Sequence, residues 1–209
     1  MMRVVVLISG RGSNLQALIG AQKTGAYTIV GVASNNPNAA GLRLASEAGI
    51  DTSAVAHQDF AVRQDFESAL IRTIDRWQPG LVVLAGFMRV LTPRFVGHYA
   101  GQMINIHPSL LPEFPGLNTH ERALKAAVQW HGASVHYVTD ELDGGPVISQ
   151  TRLQIQADDD AQSLAARLLP LEHQLLAATV SRIANGRLGF ENGKVIFDGK
   201  YLQEPLVFD

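Results

Sequence analysis

The sequence predicts an α/β protein built on a doubly wound, mostly parallel sheet, with a small β-hairpin near its C-terminus. Three features carry that prediction. Short apolar runs such as Arg3–Ile8 and Leu81–Leu84 have the composition of strands buried on both faces of a parallel sheet. Segments with helical spacing separate these runs, as crossover connections require. A glycine-containing turn, Ser9–Asn14, joins the first strand to the first helix.

Taken in order, Arg3–Ile8 is a strand and Leu15–Thr24 a helix. Tyr27–Ser34 is the second strand, Gly41–Ala48 a short helix and Thr52–Ala56 a weak strand. A helix runs from Arg63 to Trp77, and Pro79-Gly80 punctuates before the strand Leu81–Leu84. Thr92–Tyr99 is helical, with Pro93 allowed in its first turn. Met103–His107 is a strand that leads into a loop carrying Pro108, Pro112 and Pro115. A helix of about ten residues begins at Thr119, read as its N-cap.

Ala133–Val138 and Val147–Gln156 are strands flanking the loop Thr139–Pro146. Gln162–Asn185 is helical, with Leu164, Leu168, Leu171 and Leu175 on one stripe. Asn192-Gly193, between Phe190 and Val195–Phe197, signals the hairpin. Fewer helices separate the later strands, which predicts a mixed or antiparallel edge. With no repeat, linker or low-complexity stretch, residues 1–209 are expected to form one domain.

Composition narrows the function. Hydrophobic residues make up 46% and charged residues 17%, enough for a large core and unlike a disordered chain. The net charge is −2 with no basic stripe, so nucleic acid is not an expected partner. There is no cysteine, which excludes disulfides, thiol catalysis and thiolate metal sites. The apolar start Val4–Ile8 is too short for a signal peptide or a membrane span. A cytoplasmic location, with no membrane partner, is the expectation. Oligomeric state is left open.

Three segments hold chemistry-bearing residues. Ser9-Gly-Arg-Gly-Ser-Asn14 places backbone N–H groups and a helix N-terminus where an anion can bind. Taken alone, it fits an ordinary β-α turn equally well. It is not a dinucleotide fingerprint, because Leu15 replaces the third glycine and Ser34-Asn35-Asn36 replaces the ribose-binding acid.

Asn105-Ile-His107-Pro108 puts Asn105 and His107 on one face of a strand, with Pro108 holding the backbone extended. An amide beside an imidazole suits an oxyanion formed in acyl transfer; a histidine satisfied at a strand end is the alternative. Asp140-Glu-Leu-Asp143-Gly-Gly-Pro146 offers an acid that could support a histidine, or simply a solvated turn. His136 packs on its strand in this reading. His131 and His136 are assigned to different elements, and no His/Asp/Glu cluster has metal-ligand spacing, so no metal is expected.

Together these motifs resemble the glycinamide ribonucleotide formyltransferase family. The likeness runs through Val5–Leu15, Met103–Pro112 with Phe114–Leu117, and Gly132–Ile148, in the family's order and over nearly the whole chain. It implies a Rossmann-like formyltransferase fold with 10-formyltetrahydrofolate as the donor. Asn105, His107 and Asp143 would be the catalytic group. Gly12, Ser13 and Asn14 would hold the ribotide phosphate, and Glu172 would meet the glycinamide end. Arg63, Met88, Arg89, Val90, Leu91, Asn105, Thr139, Asp140, Glu141 and Leu142 would line the folate site.

The resemblance further implies a protonated His107 that stabilises charge on the formyl oxygen. Pro170, inside the helix that carries Glu172, is expected to kink it, since a helical proline costs about 3 kcal/mol or more. Siblings with the same catalytic group formylate methionyl-tRNA or hydrolyse formyltetrahydrofolate. The first is expected to carry an added C-terminal nucleic-acid-binding domain, and the second an N-terminal regulatory extension.

Overall fold

A computed structural model describes residues 1–208. The chain divides into two compact units, Met1–Ile104 and Asn105 onward. In the first, β1 (Met2–Ile8), β2 (Tyr27–Ser34), β3 (Thr52–Ala54) and β4 (Leu81–Leu84) are parallel, in the order β3-β2-β1-β4. The helices α1 (Ser13–Ala21), α2 (Ala40–Glu47), α3 (Arg63–Asp75) and α4 (Pro93–His98) connect or follow them. Val4–Ile8 are fully buried. Burying each such side chain stabilises the fold by roughly 1.5–3 kcal/mol.

From β1 the chain runs outward through β2 to β3, then returns on the other side of β1 as β4. The carboxyl ends of β1 and β4 therefore flank a switch point, where open α/β sheets form a ligand crevice. The turn Ser9–Asn14 leaves one of these ends, and the segment from Ala85 leaves the other.

The strand β5 (Met103–His107) spans the boundary between the units. In the second unit β6 (Trp130–Tyr137) pairs antiparallel with β7 (Val147–Gln154), as the sparse later helices predict. Two helices, α5 (Thr119–Lys125) and α6 (Ala161–Ala184), accompany them, and α6 packs on both strands. Asp160 and Ser163 close a reciprocal capping box at the start of α6.

The Asn192-Gly193 hairpin joins β8 (Leu188–Glu191) to β9 (Lys194–Phe197), with both turn residues at positive φ. It is larger than predicted, since β10 (Lys200–Tyr201) adds a third antiparallel strand. A last strand, β11 (Leu206–Phe208), runs parallel to β7.

Other expectations are corrected. Thr119 is the first residue of α5 and is buried; the N-cap is Asn118, in the left-handed region, and the helix has only seven residues. His131 and His136 lie on the same strand, β6. Pro170 lies inside α6, which stays helical across all 24 residues. Pro170 and Ala166, whose carbonyl it leaves unpaired, both face solvent, where water can take over that bond. The buried stripe of α6 contains Leu164, Leu168, Glu172, Leu175 and Leu176, so Glu172 takes the place expected for Leu171.

Candidate active site

In the first unit the switch point is a cleft of about 240 Å³, lined by Ser9–Asn14 on one side and by Ala85, Gly86 and Met88 on the other. Gly12 is the N-cap of α1 at φ 81° and has no side chain with which to cap it, so the N–H groups of the first turn point toward the cleft mouth as a helix N-terminus does. Glycine is required here twice over. The backbone is left-handed, and a Cβ would lie 2.8 Å from the Cα of Gly41 at the start of α2. The N–H of Gly41 also donates to the Gly10 carbonyl at 3.1 Å, which braces the turn against α2. A site made of backbone donors and a positive helix end is suited to a phosphate.

In the second unit, Asn105, His107, His136 and Asp143 converge. His136 is 2% exposed; its Nδ1 lies 3.0 Å from the Tyr137 carbonyl and its Nε2 lies 3.1 Å from the Asn105 side-chain nitrogen. A carbonyl can only accept, so His136 donates to Tyr137 from Nδ1, and its Nε2 is turned to Asn105. The Asn105 side-chain nitrogen carries two N–H groups, so the one not turned to His136 can meet a ligand oxygen.

His107 is 6% exposed, and its Nε2 donates to the Phe114 carbonyl at 3.0 Å. Its Nδ1 lies 3.4 Å from Asp143 Oδ2, longer than a normal hydrogen bond. Burial pulls His107 below the ordinary imidazole range. The Phe114 carbonyl and Asp143 act upward, while His136 and Arg122 add to the lowering. That direction runs against the expectation of a protonated His107, and the contact with the Phe114 carbonyl places a proton on Nε2. Nδ1 is where a second proton enters, directly beside the carboxylate.

Asp143 sits at φ 51°, a left-handed conformation that aspartate tolerates better than most residues. Its other oxygen, Oδ1, lies 3.6 Å from His136 Nε2. Burial alone would raise its pKa. The His136 contact, the Gly116 N–H donating to Oδ2 at 2.8 Å and the nearby His107 outweigh burial and hold the carboxyl below its ordinary value. The bend that follows needs Gly145, where a Cβ would lie 1.8 Å from the Tyr137 carbonyl.

The loop after β5 supplies the Phe114 carbonyl and the Gly116 N–H, and it is pinned in two places. The buried Ser134 hydroxyl donates to the Ser109 carbonyl at 2.7 Å and accepts from Leu111 N–H at 3.0 Å and Gln150 Nε2 at 2.9 Å. Arg122 of α5 donates to the Pro115 carbonyl. Beyond it His120 Nδ1 lies 3.0 Å from His131 Nε2, and burial, then the charges of His120 and His107, push His131 down to about 4.

Residues 2–180 match the model of the Formyl transferase family. The chain belongs to that family. This formyltransferase is 48% identical over 203 residues to a protein of Escherichia coli (strain K12) named phosphoribosylglycinamide formyltransferase, covering 96% of each chain. It is 42% identical over 197 residues to the Homo sapiens trifunctional purine biosynthetic protein adenosine-3, covering 92% of this chain and 19% of that one. The solved phosphoribosylglycinamide formyltransferase of Coxiella burnetii superposes with a TM-score of 0.95 at 51% identity, covering 100% of this chain and 99% of that one. The fold is thus the Rossmann-like formyltransferase fold that the resemblance implied.

In the formyltransferase, the sequence-selected residues fall into separate groups. Gly12, Ser13 and Asn14 line the cleft of the first unit together with Met88. Arg89, Val90 and Leu91 follow on the same segment, and Arg63 is exposed at the start of α3. In the second unit Asn105, His107 and Asp143 meet as expected. Thr139–Leu142 precede Asp143, with Leu142 largely exposed, and Glu172 is buried in α6.

Sequence reasoning missed His136 and the backbone groups of Phe114 and Gly116. A histidine three positions before the acidic loop Thr139–Pro146 was the available signal for the first. Among the described residues there is no group of three or more His, Cys, Asp or Glu that could hold a metal ion. Among them, too, no helix is long and apolar enough to cross a membrane.

Proposed function

We propose that this formyltransferase moves the formyl group of 10-formyltetrahydrofolate to the amine of glycinamide ribonucleotide, giving formylglycinamide ribonucleotide and tetrahydrofolate, an early step of purine synthesis. The observation that carries this reading is the likeness, over 96% of both chains, to the E. coli phosphoribosylglycinamide formyltransferase. The cluster of Asn105, His107, His136 and Asp143 gives it a chemistry.

The neutral amine attacks the formyl carbon, a C–N bond forms, and the carbonyl electron pair moves onto oxygen. The free N–H of Asn105 stabilises that oxyanion. The proton lost by the amine enters His107 at Nδ1, directly or through water, and Asp143 stabilises the imidazolium. The proton then passes to the folate nitrogen as its bond to the formyl carbon breaks. Gly12, Ser13 and Asn14 hold the phosphate, Glu172 meets the glycinamide end, and Arg63, Met88–Leu91, Asn105 and Thr139–Leu142 line the folate. Residues 1–209 act as one formyltransferase domain, supported by a family match that runs through both units.

The test is folate turnover with and without the ribotide. Tetrahydrofolate should form only when glycinamide ribonucleotide is present, and a chelator should not slow it. Equal turnover without the ribotide would replace transfer with hydrolysis. A cytoplasmic location is part of the same proposal, and fractionation should find the activity in the soluble fraction.

A further inference from the structure

The segment Gly86–Thr92 of the first unit holds four of the proposed folate-lining residues, Met88–Leu91, yet it forms no helix or strand. Met88 and Val90 are 67% and 60% exposed. Such a segment presents a defined surface only if something outside it holds its backbone. Side chains from two other places do so.

At its start, the Met88 N–H donates to Ser9 Oγ at 2.7 Å, and the Ser9 N–H donates to the Gly86 carbonyl at 3.1 Å. The Ser9 hydroxyl itself donates to Asn35 Oδ1 at 2.5 Å, so its donor and acceptor roles are both fixed. At its end, the Thr92 N–H donates to Glu67 Oε1 at 2.9 Å and the Thr92 hydroxyl donates to Glu67 Oε2.

Glu67 is 3% exposed and lies on the inward face of α3 with Phe66, Leu70 and Ile74. A carboxylate on such a face is unfavourable unless it is hydrogen-bonded, and both of its oxygens are turned to Thr92. Helix packing gives no reason for a carboxylate there. The hold on Thr92 does.

We propose that Ser9 and Glu67 are positioning residues for the formyl donor, pinning the two ends of Gly86–Thr92 so that Met88–Leu91 meets the folate in one conformation. Because Ser9 also opens the glycine turn, it ties the folate-lining segment to the phosphate-binding turn. This inference rests on the folate reading of Met88–Leu91 given above.

Glu67→Ala removes both acceptors. Glu67→Gln keeps both contacts, since its amide oxygen accepts from Thr92 N–H and its amide nitrogen donates to the Thr92 hydroxyl. Glu67→Ala should raise the KM for 10-formyltetrahydrofolate about tenfold or more, leave kcat and the ribotide KM within about threefold, and be rescued by Glu67→Gln. Should Glu67→Ala fail to fold, Thr92→Val provides the same test with a smaller rise in the folate KM. Ser9→Ala should raise both KM values.

Amide exchange in the free protein reads the hold itself. Thr92 should exchange slowly in the parent and about tenfold or more faster in Glu67→Ala, as loss of a hydrogen bond to a carboxylate requires. Val90→Asp serves as the control on the folate reading. If it raises the folate KM while the Glu67 and Thr92 variants do not, the positioning role is overturned. A uniform loss of all kinetic parameters without rescue by Glu67→Gln also overturns it. If Val90→Asp leaves the folate KM unchanged, the folate reading fails, and amide exchange still decides whether the segment is pinned.

Discussion

Replacing Asp143 with asparagine removes a charge while leaving the fold in place. Asparagine accepts the left-handed backbone at φ 51° as readily as aspartate, and its oxygen can keep the Gly116 N–H bond of 2.8 Å. What disappears is the attraction between the carboxylate and the proton that enters His107 Nδ1, 3.4 Å away. At an effective dielectric of about 20, two charges at that separation attract by roughly 5 kcal/mol, which bounds the effect from above. A loss in kcat on the order of 10²–10⁴-fold, roughly 3–5 kcal/mol, is expected for Asp143→Asn and for His107→Ala alike.

Both residues serve one event, so the double variant should be scarcely slower than the slower single one. Folate affinity and melting temperature should stay near the parent values. Asp143 contributes upward to the His107 pKa, so its removal should move the His107 midpoint, already below the ordinary imidazole value, lower still in an NMR titration. The assay is steady-state kcat at saturation in both substrates for the four members of the cycle. Multiplicative losses in the double variant, or a rise in the His107 midpoint, would refute the coupling.

The phosphate turn gives a second expectation. Ser13→Ala and Asn14→Ala should raise the ribotide KM much more than the folate KM, because hydrogen bonds to a charged group contribute roughly 1.5–3 kcal/mol each; a larger effect on the folate KM would place the wrong substrate there. The third concerns stability. His131 is held neutral, with a folded pKa pushed from 6.5 to about 4, so its contribution is fully present above pH 6.5 and is lost as pH falls from 6.5 toward 4. The fall in melting temperature across that window should be shallower in His131→Gln, and an unchanged slope would remove His131 from the account.

Much of the fold was legible because its signals are local. Tyr27–Ser34, Leu81–Leu84 and Met103–His107 were bounded correctly, each being an apolar run closed by turn chemistry. What depends on distant partners was harder to see. The start of β6 at Trp130 is defined by pairing with Gln154, since Trp130-His-Gly132 has no strand-like run of its own. β11 exists because residues near the C-terminus pair with Ser149–Thr151 of β7.

The same division holds for the candidate site. Asn105 and His107 share a strand face and could be read together. His136 lies 31 positions from Asn105, and only the folded chain makes it a partner. The Phe114 carbonyl and Gly116 N–H are backbone atoms with no side-chain signature at all. The lowering of the His107 pKa is a consequence of burial, which no motif encodes.

The central claim is that the formyl carbon passes from folate to the ribotide amine. It is tested most directly with 10-formyltetrahydrofolate labelled with ¹³C at the formyl carbon, followed by NMR in the presence of glycinamide ribonucleotide. The account predicts that the label leaves the folate and appears as the formamide of the ribotide, mole for mole with tetrahydrofolate. It also predicts that His107→Ala slows this transfer without diverting the label. Appearance of the label as free formate while the ribotide remains unmodified would contradict it.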